Sequence, residues 1–253
     1  MSTSVQSSFE SELELATRVQ RGLLPKADCG MHGWEISFSY EAAHQVSGDY
    51  IDLVEMSAGA FHFILGDVSG KGVAAALLMA HLHANVRMLL ASGLKLDQIV
   101  RETSTTFCHS SLPAQFVTLV IGKASNTGEV ELINAGQTPV LFVHDGKTNL
   151  LPATEVPLGL FCGIETTPAS IVVHERALPG DMLLLYSDGV TETTDIDGSE
   201  YGVERLQVLL SHISHNSPRE TIDAVLNDLR YFSAPSELAD DRSLLALQFG
   251  GSH

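Results

Sequence analysis

The spacing of apolar residues changes character several times along the chain. Between Phe9 and Leu24 they fall at Phe9, Leu13, Ala16 and Leu23, with Gln20 in the same series, the spacing of a heptad seam. Pro25 stops the run. The pattern predicts a helix. It either packs on its own domain or forms a coiled-coil stub with a second chain, because so short a helix is marginal alone. A linker over Pro25–Gly33 follows. Trp34–Tyr40 then alternates like a half-buried strand, and Asp52–Val54 and Ala60–Leu65 read as two more. Gly72–Ala91 and Leu96–Cys108 are helical by period and by Ala, Leu and Met content, with a break at Ser92-Gly93.

From Gln115 the pattern turns to strands: Phe116–Gly122, Glu129–Asn134, Pro139–His144, Thr148–Leu151, Ile171–His174 and Met182–Tyr186. Asn126-Thr-Gly128 and Asp145-Gly146 mark turns. Helices over Val203–Ile213 and Pro218–Phe232 and a last strand over Ser243–Phe249 complete the series. Strands in runs with short turns predict an antiparallel α+β sandwich rather than a wound parallel sheet. Trp34–Phe249 has no internal repeat or low-complexity break, so the expected organisation is a linker helix over 1–25 and one domain over 26–250.

Composition narrows the function. Fourteen Lys and Arg against 31 Asp and Glu give a net charge of −17, which disfavours nucleic acid and anionic membranes as partners. The N-terminus lacks a basic, then apolar, leader, and the longest apolar stretch, Val73–Leu94, is interrupted by His81, His83, Asn85 and Arg87. A cytoplasmic protein is expected. The three cysteines, Cys29, Cys108 and Cys162, form no C-x-x-C pair and are odd in number, so they read as reduced thiols filling core space.

Candidate chemistry lies in four segments where aspartate adjoins glycine or ends an apolar strand: Ser47-Gly48-Asp49, Gly66-Asp67-Val68-Ser69-Gly70-Lys71-Gly72, Ser187-Asp188-Gly189 and Asp240-Asp241-Arg242-Ser243. An aspartate beside glycine is ordinarily a turn former. Here Asp67 and Asp188 follow strongly apolar strands, which hold a carboxylate rigidly at a sheet rim. Carboxylates converging without counter-charges repel one another, and a divalent cation removes that cost. An oxygen-only donor set selects Mg²⁺ or Mn²⁺ over zinc. His81 and His83, the one tight histidine pair, face different ways on a helix and make a poor zinc site. Gly66–Gly72 is a residue short of a P-loop and has glycine where Ser or Thr is needed, and Gly66–Gly70 is not G-x-S-x-G.

Together with Gly48-Asp-Tyr-Ile-Asp52, Asn134-Ala-Gly-Gln137 and Tyr186-Ser-Asp-Gly-Val-Thr-Glu192, these segments stand in the order and spacing of the metal-dependent protein phosphatases (PPM), SpoIIE/RsbU-like bacterial class, which the chain resembles over about Trp34–Phe249. The resemblance implies a four-layer α/β/β/α sandwich with two central antiparallel sheets and two Mn²⁺ or Mg²⁺ ions at one end. Asp67 would bridge both ions. Asp49 and the Val68 carbonyl would hold one, and Asp188 and Asp240 the other, with Asp241 as the weaker candidate. The implied reaction is direct hydrolysis of phosphoserine or phosphothreonine. An alternative from another class is a silent phosphatase-like adaptor that sequesters a regulatory protein.

Three departures from the family pattern bear on the site. Ser47 stands where many members have a second glycine, and Arg242 where an apolar residue is common. No arginine lies between Arg21 and Asp49 to grip phosphate, which leaves the metals and Lys71 for that task. The resemblance further implies a phosphorylated STAS-type anti-sigma-factor antagonist as substrate. It makes the chain the output domain of a response regulator, with the Phe9–Leu24 helix joining an upstream receiver or sensor domain and pairing two copies as a homodimer.

Overall fold

The computed structural model describes residues 2–56, 59–162, 170–213, 216–233 and 238–251, with side chains from residue 10 onward. Helix α1 (Ser2–Arg21) leads into β1 (Cys29–Met31), β2 (Trp34–Glu41), β3 (Asp49–Glu55) and β4 (Ala60–Val68). Helices α2 (Gly72–Ala91) and α3 (Leu96–Ser110) follow, then β5 (Val117–Ser125), β6 (Glu129–Ala135), β7 (Val140–His144), β8 (Lys147–Leu151), β9 (Val173–Arg176) and β10 (Met182–Tyr186). A one-turn α4 (Asp188–Thr191), α5 (Gly202–His212), α6 (Pro218–Phe232) and β11 (Arg242–Phe249) end the series.

The strands form two antiparallel sheets, one in the order β1-β2-β11-β10-β7-β8 and the other β3-β4-β5-β6-β9. Their facing sides share a core that includes Trp34, Phe38, Ile51, Phe63, Leu183 and Leu245. Helices α2 and α3 bury Met79, Leu82, Ile99 and Phe107 against the outer face of the five-stranded sheet. Helices α5 and α6 bury Leu206, Leu210, Ile222 and Leu229 on the six-stranded one. The result is the expected α/β/β/α sandwich. Strands buried on both faces explain why Met182–Tyr186 reads as a continuous apolar run, and Phe61–Leu65 as one interrupted only by His62, rather than as alternating patterns.

Two expectations change. The Pro25–Gly33 linker contains β1, a three-residue strand hairpinned onto β2 through His32 and Gly33, whose φ values of 48° and 83° suit a two-residue turn. The cysteines are not core filler: Cys108 and Cys162 are joined in a disulfide across 54 residues, and Cys162 is exposed. Gly159 explains the approach, since a Cβ there would stand 2.6 Å from the Phe107 ring of α3. Cys29 is half-buried beside the inter-sheet core, and burial pushes its thiol pKa up.

Helix α1 turns part of its seam onto its own domain. Gln20 is buried and makes a reciprocal pair with Ser47, donating to the carbonyl at 2.8 Å and accepting from the N–H at 3.0 Å. Thr17 adds a hydroxyl bond to the Gln45 carbonyl at 2.7 Å, while Leu15 and Val19 stay exposed. Among the described residues, α2 alone has the length and apolar content to cross a membrane; its inner face lies on the sheet.

Candidate metal and phosphoryl site

The two sheets meet the five singled-out aspartates along one rim. Asp49 opens β3 and Asp67 lies near the end of β4, and the strand register sets them directly opposite each other. Like charges placed opposite on neighbouring strands destabilise a sheet. Burial pushes the Asp67 carboxyl up to about 9, and the nearby Asp49, Asp188 and Asp240 add to the shift. Burial likewise raises Asp49 to about 7, against a partial pull downward from the Ser243 and Ser187 hydroxyls, and its Oδ2 is buried with no hydrogen-bond partner.

Glycine makes this close approach possible. A Cβ on Gly48 would stand 2.9 Å from the Val68 carbonyl oxygen, 3.2 Å from Ala75 and 3.5 Å from the Asp67 carboxylate. The Ser47–Asp49 turn therefore lies against the Val68 carbonyl, and the Val68 N–H donates to the Gly48 carbonyl at 3.3 Å.

The six-stranded sheet contributes the remaining aspartates. Asp188 begins α4 just beyond β10, and burial, followed by the Asp240 charge, raises its pKa. Gly189 packs so closely on the Asp241 carbonyl that a side chain there would collide. Ser187 and Ser243 lock the two strand ends together: Ser187 N–H donates to the Ser243 carbonyl at 3.0 Å, and Ser243 N–H to the Ser187 hydroxyl at 2.9 Å. The Asn134–Gln137 segment supports the same corner. Asn134 accepts from the Gln137 N–H at 2.9 Å, and Thr138 donates to the carbonyl of Tyr186, two residues before Asp188.

Asp240 and Asp241 separate in role. Asp240 pairs with Lys71 Nζ at 2.8 Å, so the lysine expected to bind phosphate is engaged with this carboxylate and with the Ala239 carbonyl. Both Asp241 oxygens accept main-chain bonds, Oδ1 from Ala43 at 2.8 Å and Oδ2 from Gly48 at 2.9 Å. Among the described residues, no three His, Cys, Asp or Glu side chains are drawn into a ready-made metal cage. The donor chemistry still fits a hard divalent cation, because buried and partly buried carboxylates are held near one another and, among the described residues, Lys71 is the one cation that pairs with any of them.

One further carboxylate escaped the sequence reading of roles. Asp52 is fully buried and accepts two bonds from the Arg87 guanidinium at 2.7 Å and one from the Tyr50 hydroxyl at 3.1 Å, tying β3 to α2. Its place three residues after Asp49 on an apolar strand was the available signal.

The chain is 25% identical to Protein IcfG of Synechocystis over 93% of its own length and 41% of the relative's. It is 28% identical to phosphoserine phosphatase RsbP of Bacillus subtilis over 72% of the chain and 46% of that protein, so it spans under half the length of these two relatives. Phosphoserine phosphatase RsbU of B. subtilis is 27% identical, with 96% of this chain and 72% of RsbU covered. In structure this chain superposes on the SiaA-PP2C domain of Pseudomonas aeruginosa with a TM-score of 0.83 at 19% identity, covering 97% of this chain and 98% of that one. The family model for stage II sporulation protein E (SpoIIE) matches residues 57–250, and the chain belongs to that family.

Proposed function

We propose that this chain is a metal-dependent protein serine/threonine phosphatase. The observation that carries the reading is the opposed pair of buried Asp49 and partly buried Asp67 with Asp188 and Asp240 beside it, a cluster whose mutual repulsion a divalent cation relieves. In this reading Asp49, Asp67, Asp188 and Asp240 and the Val68 carbonyl hold Mn²⁺ or Mg²⁺. Two such ions would supply charge neutralisation at the phosphoryl oxygens and would lower the pKa of a water so that it can lose a proton and attack phosphorus. Asp241 holds the Ala43–Gly48 loop through its two main-chain bonds and so fixes Asp49. Lys71 orients Asp240 and balances part of the cluster's charge.

The relatives RsbU and RsbP are named as phosphoserine phosphatases, which supports phosphoserine as the substrate group. The proposed substrate is a phosphorylated STAS-type anti-sigma-factor antagonist in the cytoplasm. Residues 1–25 serve as the helix that joins an upstream receiver or sensor domain and pairs two copies, with Leu15 and Val19 as its free apolar positions. The Gln20–Ser47 pair connects that helix to the Asp49 turn. Incubating the full chain and Mn²⁺ with serine-phosphorylated and tyrosine-phosphorylated peptides tests the reading. Phosphate release from the first and not the second is expected; a chain that binds a phosphorylated STAS protein yet releases no phosphate would establish the adaptor alternative.

A further inference from the structure

A cleft of about 580 Å³ shares Lys71, Gly189 and Asp240 with the carboxylate cluster and continues past them to Glu41, Arg230 and Arg242. In a chain with 14 Lys and Arg against 31 Asp and Glu, three of the 14 line this one cleft. Arg242 is brought here by strand register, opposite Glu41 across β11 and β2. Its side chain is only 9% exposed. Nη1 reaches Glu41 at 3.5 Å and Nη2 donates to the Thr193 hydroxyl at 2.9 Å, but the Nε–H is buried without a partner.

Burying a guanidinium is costly unless its charge and its donors are matched. Glu41 cannot do this alone, because Arg230 also leans on it at 3.7 Å. Lys71 and Asp240 pair with each other, and Glu192, the third carboxylate of the lining, feels the charges of Asp188 and Asp240 at the cluster end. Among the described residues, the Arg230–Arg242 end therefore has two guanidinium groups on one carboxylate. Arginine's flat fork of donors is suited to a second carboxylate. The cleft has the volume of a small-ligand pocket, which is more room than a phosphoryl group occupies.

Resting on the phosphatase reading, we propose that this cleft receives an acidic side chain of the substrate protein flanking the phosphoserine, with Arg242 and Arg230 as its specificity-determining residues. The test uses the full chain with Mn²⁺ and two phosphoserine peptides that differ only in Asp or Asn at the flanking positions. The readout is the ratio of their kcat/KM values. The wild type is expected to favour the acidic peptide about tenfold, the scale of one charge-assisted hydrogen bond, with the ratio shrinking as salt is raised. Arg242→Gln and the more exposed Arg230→Gln should each bring the ratio toward one, and Glu41→Gln, which frees both guanidinium groups, should raise it.

A wild-type ratio near one, or a ratio that both arginine variants leave intact, overturns the proposal. So does an equal loss on both peptides and on p-nitrophenyl phosphate, which would put the arginines on the phosphoryl group itself. Metal-dependent p-nitrophenyl phosphate turnover by the wild type with a ratio near one removes this inference alone. No turnover of any substrate removes the phosphatase reading along with it.

Discussion

Asp49 and Asp67 face each other across the β3–β4 ladder, and both carboxyls are held far above their ordinary range, at about 7 and about 9. A carboxyl whose pKa is raised in the folded state stabilises the fold below its unfolded value, and that contribution is lost as pH rises through the folded value. The metal-free protein should therefore lose stability between pH 7 and 9 as Asp67 ionises. A divalent cation competes with that proton, so its stabilising effect should grow over the same range. Thermal melts in Mg²⁺ and in EDTA at pH 7, 8 and 9 check this: the gap between the two melting temperatures is expected to widen with pH, and a constant or narrowing gap contradicts it.

The acid limb belongs to a different group. Burial lowers the His62 pKa to about 4, and its Nδ1 is buried without a hydrogen-bond partner. A histidine kept neutral in the fold stabilises it above the unfolded value near 6.5, and that contribution fades as pH falls toward 4. His62→Phe is expected to flatten the loss of stability between pH 6.5 and 4.5, measured by urea unfolding at several pH values in EDTA.

Gln20 and Ser47 exchange two hydrogen bonds two residues before Asp49. Replacing Gln20 by Ala leaves a buried N–H and a buried carbonyl unpaired, at a cost of about 2 kcal/mol. Because the same turn positions Asp49, Mn²⁺ affinity should fall several-fold. Isothermal titration of the variant checks this, and unchanged affinity in a destabilised protein would show that the turn holds its shape without α1.

The Asp52–Arg87 pair fixes α2 to β3 with one member fully buried and the other half exposed. Arg87→Ala strands the Asp52 charge in the interior, where losing a partner costs about 3 kcal/mol. Arg87→Lys should recover only part of this, since an ammonium cannot reproduce the two parallel bonds. Chemical denaturation of both variants reads the difference.

Much of this architecture is legible in the chain because it rests on local pattern. Gly72–Ala91, Met182–Tyr186 and Pro218–Phe232 have the same bounds in the sequence pattern and in the fold. In each the period or apolar run is long and the flanks carry Gly, Pro or a polar cap. The aspartates could be singled out because each sits beside glycine or at a strand end. Features made by long-range pairing could not be read this way. A heptad position looks the same whether Gln20 faces a second chain or Ser47, and three residues of β1 are too few to show a period. The meetings of Arg242 with Glu41 and of Cys108 with Cys162 depend on registers and turns set far away in sequence.

The first measurement is phosphate release from a phosphoserine peptide against Mn²⁺ concentration, for the wild type and Asp67→Asn in parallel. Saturable, metal-dependent turnover in the wild type that drops by at least about a hundredfold in the variant is the predicted result. Equal rates in the two proteins, or wild-type turnover that EDTA leaves untouched, would contradict a metal-dependent phosphatase built on this cluster.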